Sequence, residues 1–389
     1  MQVDVDRVMT EVQRATEVLG VAWAMASARG AGDDPEPFHL AIATEPTYPV
    51  SWLAERFGLS ATEQRMLWVL IAHELCPIAR RRIRDLNTEE VVDPTLDTIR
   101  RAVYGVAPSL AAWKELGAEG RLRKFALVEQ SATADAPEHR RTIKLSRRVL
   151  ALVHGETGLD DEVRFARFDD DSANVDELEI AGAALEQLEQ AFAANELVIV
   201  RGGAGTGRRS AIAGLARRHG RRVLLIDGLA IARDRDGATR QLRVVARECA
   251  LFEAIPVIRN LDALVGAGDI PDRLDLVEAE LPGLCFATTT RPVVRRWQRA
   301  PRHVEMAALS GTQRARLWCR ALPQVTPELA DQLATLYPLA PSLIHAAGCA
   351  VLQRCGEQVT PSHIAAGIRS VLDDRLAGLA TRISVSQTW

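Results

Sequence analysis

Between Leu197 and Ser210 the chain runs from four consecutive apolar residues, Leu197-Val198-Ile199-Val200, into Gly202-Gly203-Ala204-Gly205-Thr206-Gly207-Arg208-Arg209-Ser210. No other stretch limits the fold as much. An unbroken apolar run of this length predicts a strand buried on both faces. The glycines that follow permit a turn too tight for other residues. Ile212, Leu215 and Ala216 then recur at helical spacing, which predicts a helix. Strand, turn and helix in this order aim backbone N–H groups and the positive end of a helix at one point, where a phosphate is stabilised.

The layout is that of a P-loop, with its side chains altered. With Gly202 and Gly207 in the glycine positions, Arg208 stands where Lys belongs and Arg209 where Ser or Thr belongs. The forked guanidinium does not replace a compact ammonium in the same cradle. An arginine has no oxygen with which to ligate Mg2+. Ser210 comes one residue late, about 100° further round the helix. The next core strand, Ile255-Pro256-Val257-Ile258, ends in Arg259-Asn260 where a hydrolysing P-loop enzyme carries its acidic pair. Asp262 is the nearest carboxylate and a weak candidate for metal. The candidate cofactor-binding residues are therefore Gly202, Gly203, Ala204, Gly205, Thr206, Gly207, Arg208, Arg209 and Ser210. Backbone N–H groups suffice for ATP or ADP, whereas Mg2+ lacks its expected ligands.

Composition sets the frame. At 389 residues, 47% apolar and 25% charged, the chain is long enough for two or three cored domains. A net charge of −3 gives no general pull toward nucleic acid. Cys76, Cys249, Cys285, Cys319, Cys349 and Cys355 form no CxxC pair, which predicts reduced thiols in a cytoplasmic protein. No apolar run is long enough to span a membrane. Only Lys114, Lys124 and Lys144 among the 48 basic residues are lysine. That bias accounts for Arg in place of Lys at 208, but not for Arg209 or Arg259.

Ahead of the glycine stretch, helical patterns over 3–29, 52–58, 61–75, 77–86, 94–104 and 109–116 precede two short strands, 125–128 and 142–145, and a helix near 147–154. Ser60-Ala61-Thr62-Glu63 is a capping box. Gly30 to Pro37 reads as a loop. Helices followed by a hairpin outline a winged-helix domain. Arg80, Arg81, Arg82 and Arg84 are its basic cluster, read first as a solvated helix face because no aromatics interleave with them. Phe168 to Asn174 is an acidic, turn-rich linker at the domain boundary, more readily a solvated linker than a metal site. Beyond it, five strands (197–200, 222–227, 255–258, 284–290, 303–306) alternate with helices, including 178–193, 238–252 and 271–280. The end of the chain is helical, opened by a second capping box at Ser310-Gly311-Thr312-Gln313.

The fold expected is therefore α/β. It comprises a mostly helical winged-helix domain over 1–165, a P-loop-type three-layer α/β domain with a five-stranded, mostly parallel sheet over 175–308, and a helical lid and linker over 309–389. The P-loop-like turn, the altered acidic strand end, Ala287-Thr288-Thr289-Thr290-Arg291-Pro292 and the helical lid together resemble the AAA+ ATPase family. The resemblance implies a water-orienting, sensor-like role for Thr290. It also implies a lid arginine within Leu336 to Ile344, where this sequence has none, and inter-subunit arginine fingers near Arg291, Arg295, Arg296 and Arg299.

With its front half, the chain is similar to bacterial AAA+ proteins with an N-terminal winged-helix domain and tandem ATPase modules, including those found with contractile injection systems. In that type the first module is often degenerate. The resemblance implies that an active module follows the linker-like tail from Ala377 to Trp389. The expectation is a degenerate module that binds ATP or ADP weakly or not at all, with no confident catalytic residue. It would act in a homo-oligomer, a hexamer-type ring, and reach a protein client through the winged-helix domain, with no membrane role and nucleic acid an unexpected partner. A weak genuine ATPase using Asp262 and a DNA-binding regulator are the alternatives.

Overall fold

The computed structural model describes residues 4–28, 49–87, 91–105, 110–131, 137–170, 174–281, 283–354 and 359–376. The expected loop at 30–37, part of the loop between the two short strands, Asp171 to Ala173 of the acidic stretch, Cys355 and the tail from Ala377 all lie outside the described residues. The chain divides into two compact units, residues 1–164 with 239–253, and residues 165–238 with 254–389.

The first unit is built from α1 (Val5–Ala28), α2 (Val50–Phe57), α3 (Ala61–Leu75), α4 (Pro77–Leu86), α5 (Leu96–Tyr104), α6 (Leu110–Leu116), α7 (Arg121–Lys124), the hairpin β1 (Val128–Gln130) and β2 (Ile143–Leu145), and α8 (Arg147–Val153). The capping box forms as read. Ser60 Oγ accepts the Glu63 N–H at 3.1 Å, and Glu63 Oε2 accepts the Ser60 N–H at 2.8 Å. The helix it opens is enclosed, with Met66, Leu67, Leu70 and Ile71 fully buried, and each such side chain contributes about 1.5–3 kcal/mol.

One strand differs from expectation. β1 starts at Val128, not Phe125, because α7 and a turn occupy the preceding residues. Ala126 there takes a φ of 48°, and the Leu127 N–H bonds back to the Leu122 carbonyl. Phe125 and Leu127 supply core contacts from a turn, and their apolar character mimicked a strand. β1 and β2 pair antiparallel, with Glu129 opposite Lys144.

The second unit contains β3 (Ala166–Phe168), α9 (Gly182–Ala193), β4 (Leu197–Gly202), α10 (Arg208–Arg218) and β5 (Arg222–Asp227). Next comes α11 (Arg235–Leu251), whose residues from 239 onward belong to the first unit. β6 (Ala254–Arg259), α12 (Leu274–Glu280), β7 (Cys285–Thr289) and β8 (Arg302–Met306) complete the sheet. Its order is β3-β5-β6-β7-β4-β8, parallel throughout except for β3, which runs antiparallel to β5.

The sheet thus has six strands, not five. The added strand leads into the stretch read as a linker. Phe168 is its last residue, the Asp169 N–H bonds the Val223 carbonyl, and Asp170 holds Arg222 at 3.1 and 2.7 Å. Edge pairing and ion pairs tie down residues whose composition alone reads as solvated. β4 lies between β7 and β8, and Leu197 to Val200 are at most 1% exposed. Its apolar run is therefore that of an interior strand.

The remaining helices are α13 (Gly311–Ala321), α14 (Pro327–Leu336), α15 (Pro341–Arg354) and α16 (Pro361–Leu376). They pack around Trp318, Leu322, Leu333, Ile344, Val351 and Ile368. Ser310 and Gln313 form the second capping box at the start of α13. Among the described residues no helix is long and apolar enough to cross a membrane.

Candidate functional site

β4 ends at Gly202, and the chain turns through Gly203 to Gly207 before α10 begins. Gly205 and Gly207 take φ of 83° and 85°, the left-handed region where a side chain is strained. The Gly203 carbonyl accepts from Thr206 Oγ1 at 2.9 Å, and the Ala211 N–H bonds the Gly207 carbonyl at 2.8 Å, closing the first helical turn. Gly207 is the N-cap and gives no side-chain cap. The N–H groups of Arg208, Arg209 and Ser210 therefore have no intrahelical partner, and they concentrate positive potential at the helix start.

The turn forms one wall of a cleft of about 1380 Å³. Gly205 to Ser210, Arg259, Asn260 and Thr288 line this side. The rest of the lining comes from Asp176 to Ile180, from Leu317, Arg320 and Ala321 of α13, and from Pro341, Ser342, Ile344, His345, Cys349 and Leu352 of α15. The start of α15 presses on the turn. A Cβ at Gly205 would lie 2.6 Å from Ser342 Oγ and 2.9 Å from Ala340 Cβ. Glu179, also on the lining, holds Arg320 at 2.9 Å and Arg316 at 3.5 Å, and Arg320 also donates to the Glu177 carbonyl at 2.6 Å.

The altered side chains are turned away from the turn's interior. Half-buried Arg208 donates from Nη1 to the Thr289 carbonyl at the end of β7. Burial lowers its pKa, and the Asp262 carboxylate opposes that. Arg209 pairs with Asp169 at 3.2 Å. Ser210 lines the cleft.

At the end of β6, Asn260 takes a φ of 55° and its Nδ2 donates to Asp227 Oδ1 at 3.0 Å, while Arg259 lies 3.5 Å from Asp227 Oδ2. Asp262 lies 3.2 Å from Thr289 Oγ1 and is not on the cleft lining. Thr290 is exposed beyond the strand end, and it is Thr288 that faces the cleft. Of the four arginines between 291 and 299, Arg299 donates to the Gly283 and Leu281 carbonyls, and Arg295 pairs with Asp272 at 3.4 Å and stacks on Trp297. Arg291 and Arg296 are exposed.

These residues do not fit a magnesium ion. The carboxylates on the lining are Asp176, Glu177 and Glu179. Asp176 is held by Arg218 and Glu179 by Arg316 and Arg320. Beside the turn stand Arg259 and Asn260 instead of acids. Among the described residues no cluster of three His, Cys, Asp or Glu side chains is placed to hold a metal. The start of α15 falls within the expected lid segment, Leu336 to Ile344, whereas the strip 176–180 and the face of α13 were not foreseen. Their one local signal is Arg316 and Arg320, spaced i, i+4 on one helix face. Their partner at Glu179 is far away in sequence.

In the first unit, two of the four clustered arginines hold main chain. Arg80 donates to the His73 and Glu74 carbonyls at 2.9 and 3.1 Å, and Arg82 donates to the Thr16 carbonyl. Arg81 and Arg84 are exposed. Compared with curated proteins, the chain has no match. A family model described as "Winged helix domain, variant" matches residues 40–166, so the front part of the chain contains a winged-helix domain.

Proposed function

We propose that residues 165–376 form a nucleotide-binding module of the AAA+ type that has lost hydrolysis, and that it serves assembly or regulation while the winged-helix domain engages a protein client. The observation that carries this reading is the uncapped start of α10. Its N–H groups and the glycine turn face a cleft large enough for a nucleotide. Leu178, Ile180, Leu317 and Ile344 supply apolar surface for a base, and the turn supplies the phosphate end. Phosphoryl transfer depends on positioning a metal and stabilising transferred charge. Arg259 and Asn260 stand where those ligands would be, so ATP or ADP would be bound and kept. The ring-shaped homo-oligomer is part of this proposal.

Two other readings are weaker. A genuine ATPase would need Asp262 for metal, and that carboxylate is turned to Thr289. A DNA reader would need its basic cluster available to phosphate, and two of the four, Arg80 and Arg82, already hold main-chain carbonyls. Calorimetric titration of ADP and ATP into the purified chain tests the proposal. Binding that is lost in Gly207→Val is expected. No heat with either nucleotide overturns it.

A further inference from the structure

The same cleft, read as a nucleotide site, has an unusual charge pattern. Three arginines stand at or beside the turn, and two of them are committed elsewhere. Arg208 is bonded to the Thr289 carbonyl and Arg209 is paired with Asp169 at 3.2 Å. Arg259 differs. It shares the cleft lining with them, but its ion pair with Asp227, at 3.5 Å, is longer than the 3.2 Å pair of Arg209 and is not that carboxylate's only contact. Asn260 already holds Asp227 at 3.0 Å, and the Leu229 N–H does so at 3.2 Å. Releasing Arg259 would therefore not leave that carboxylate unpartnered. A forked guanidinium can take two oxygens of a phosphate at once.

Resting on the nucleotide reading, we infer that this cleft takes a metal-free nucleoside triphosphate, with Arg259 bringing the positive charge a metal ion would otherwise supply, so that Mg2+ weakens binding. Magnesium neutralises part of the triphosphate charge and occupies the oxygens that a guanidinium would grip. In a site with oxygen ligands, those losses are offset by bonds from the ion to protein. Here the side chains at that end are arginines, the Asn260 amide and the neutral hydroxyls of Thr206, Ser210 and Thr288, with no carboxylate among them, so the ion brings little in return.

The test is calorimetric titration of ATP into the purified chain, once in EDTA and once in excess MgCl2. The dissociation constant is expected to be about tenfold lower in EDTA, the scale of one charge-assisted hydrogen bond. Arg259→Gln should raise the EDTA value to near the magnesium value, while Arg259→Lys should keep part of the preference for free ATP. Thermal unfolding of both variants checks that the fold is intact. Equal or tighter binding in magnesium overturns the inference and leaves the nucleotide reading standing, as does an unchanged EDTA affinity in a folded Arg259→Gln. No binding in either buffer overturns both.

Discussion

Arg247 in the first unit and Arg208 in the second are the same side chain put to different ends. Arg247 is 2% exposed and sits in a quartet with Arg148, Glu248 and Asp160. It holds Asp160, Glu248 at 3.1 Å and the Ala126 carbonyl at 2.9 Å, and Arg148 holds Glu248 at 3.0 Å. That quartet binds residues 239–253 into the first unit and satisfies the carbonyl of the left-handed Ala126. Arg208 is half-buried and holds a single carbonyl at the mouth of a cleft. In the quartet two arginines face two carboxylates in a buried, structural arrangement. Around the turn the arginines keep one partner or a long ion pair each, on the lining of a cavity. Burial and partner count, not residue type, separate scaffold from candidate site.

Breaking the quartet should have the largest effect. Removal of one partner leaves an uncompensated buried charge, so Glu248→Ala is expected to lower stability by about 3–5 kcal/mol in urea unfolding. Burial raises the Glu248 pKa, and Arg148 and Arg247 oppose the rise. Gly205→Ala comes next. It places a side chain at a φ of 83° and against Ser342, so a loss of about 1–2 kcal/mol and weaker nucleotide binding are expected from the same unfolding experiment and a titration.

Arg208→Ala is expected to cost about 1 kcal/mol, because one charge-assisted bond in a partly solvated place is lost. Arg208→Lys should not create turnover, since the metal ligands remain missing. The smallest effect belongs to Asp275, whose pKa is depressed first by hydrogen bonding from Arg235, which donates from Nη1 to Oδ1 at 3.0 Å and from Nη2 to Oδ2. A depressed carboxylate contributes stability above its unfolded pKa and loses it as pH falls through the folded one. Asp275→Asn should therefore cost under about 1 kcal/mol at neutral pH, and the difference from the unaltered chain should vanish in acid.

Short-range features were legible in the sequence. Both capping boxes and the strand–turn–helix at 197–218 rest on neighbours within a few residues, and so does the alternation that predicts a mostly parallel sheet. Long-range pairing was not legible. β3 is three residues long and exists because β5 offers it an edge. Glu179 has no local sign that it will meet Arg316 and Arg320, so that part of the cleft lining could not be read. Phe125 and Leu127 misled because apolar residues bury equally well from a turn. The direction of Arg208 toward Thr289 depends on two strands being neighbours, a fact no motif contains.

The central claim is that the turn keeps a phosphate cradle while the groups needed for hydrolysis are absent, and steady-state ATP turnover by the purified chain in magnesium tests it most directly. Phosphate release no faster than the uncatalysed background is the expected result, with Gly207→Val indistinguishable from the unaltered chain. Magnesium-dependent release that Gly207→Val abolishes would contradict it.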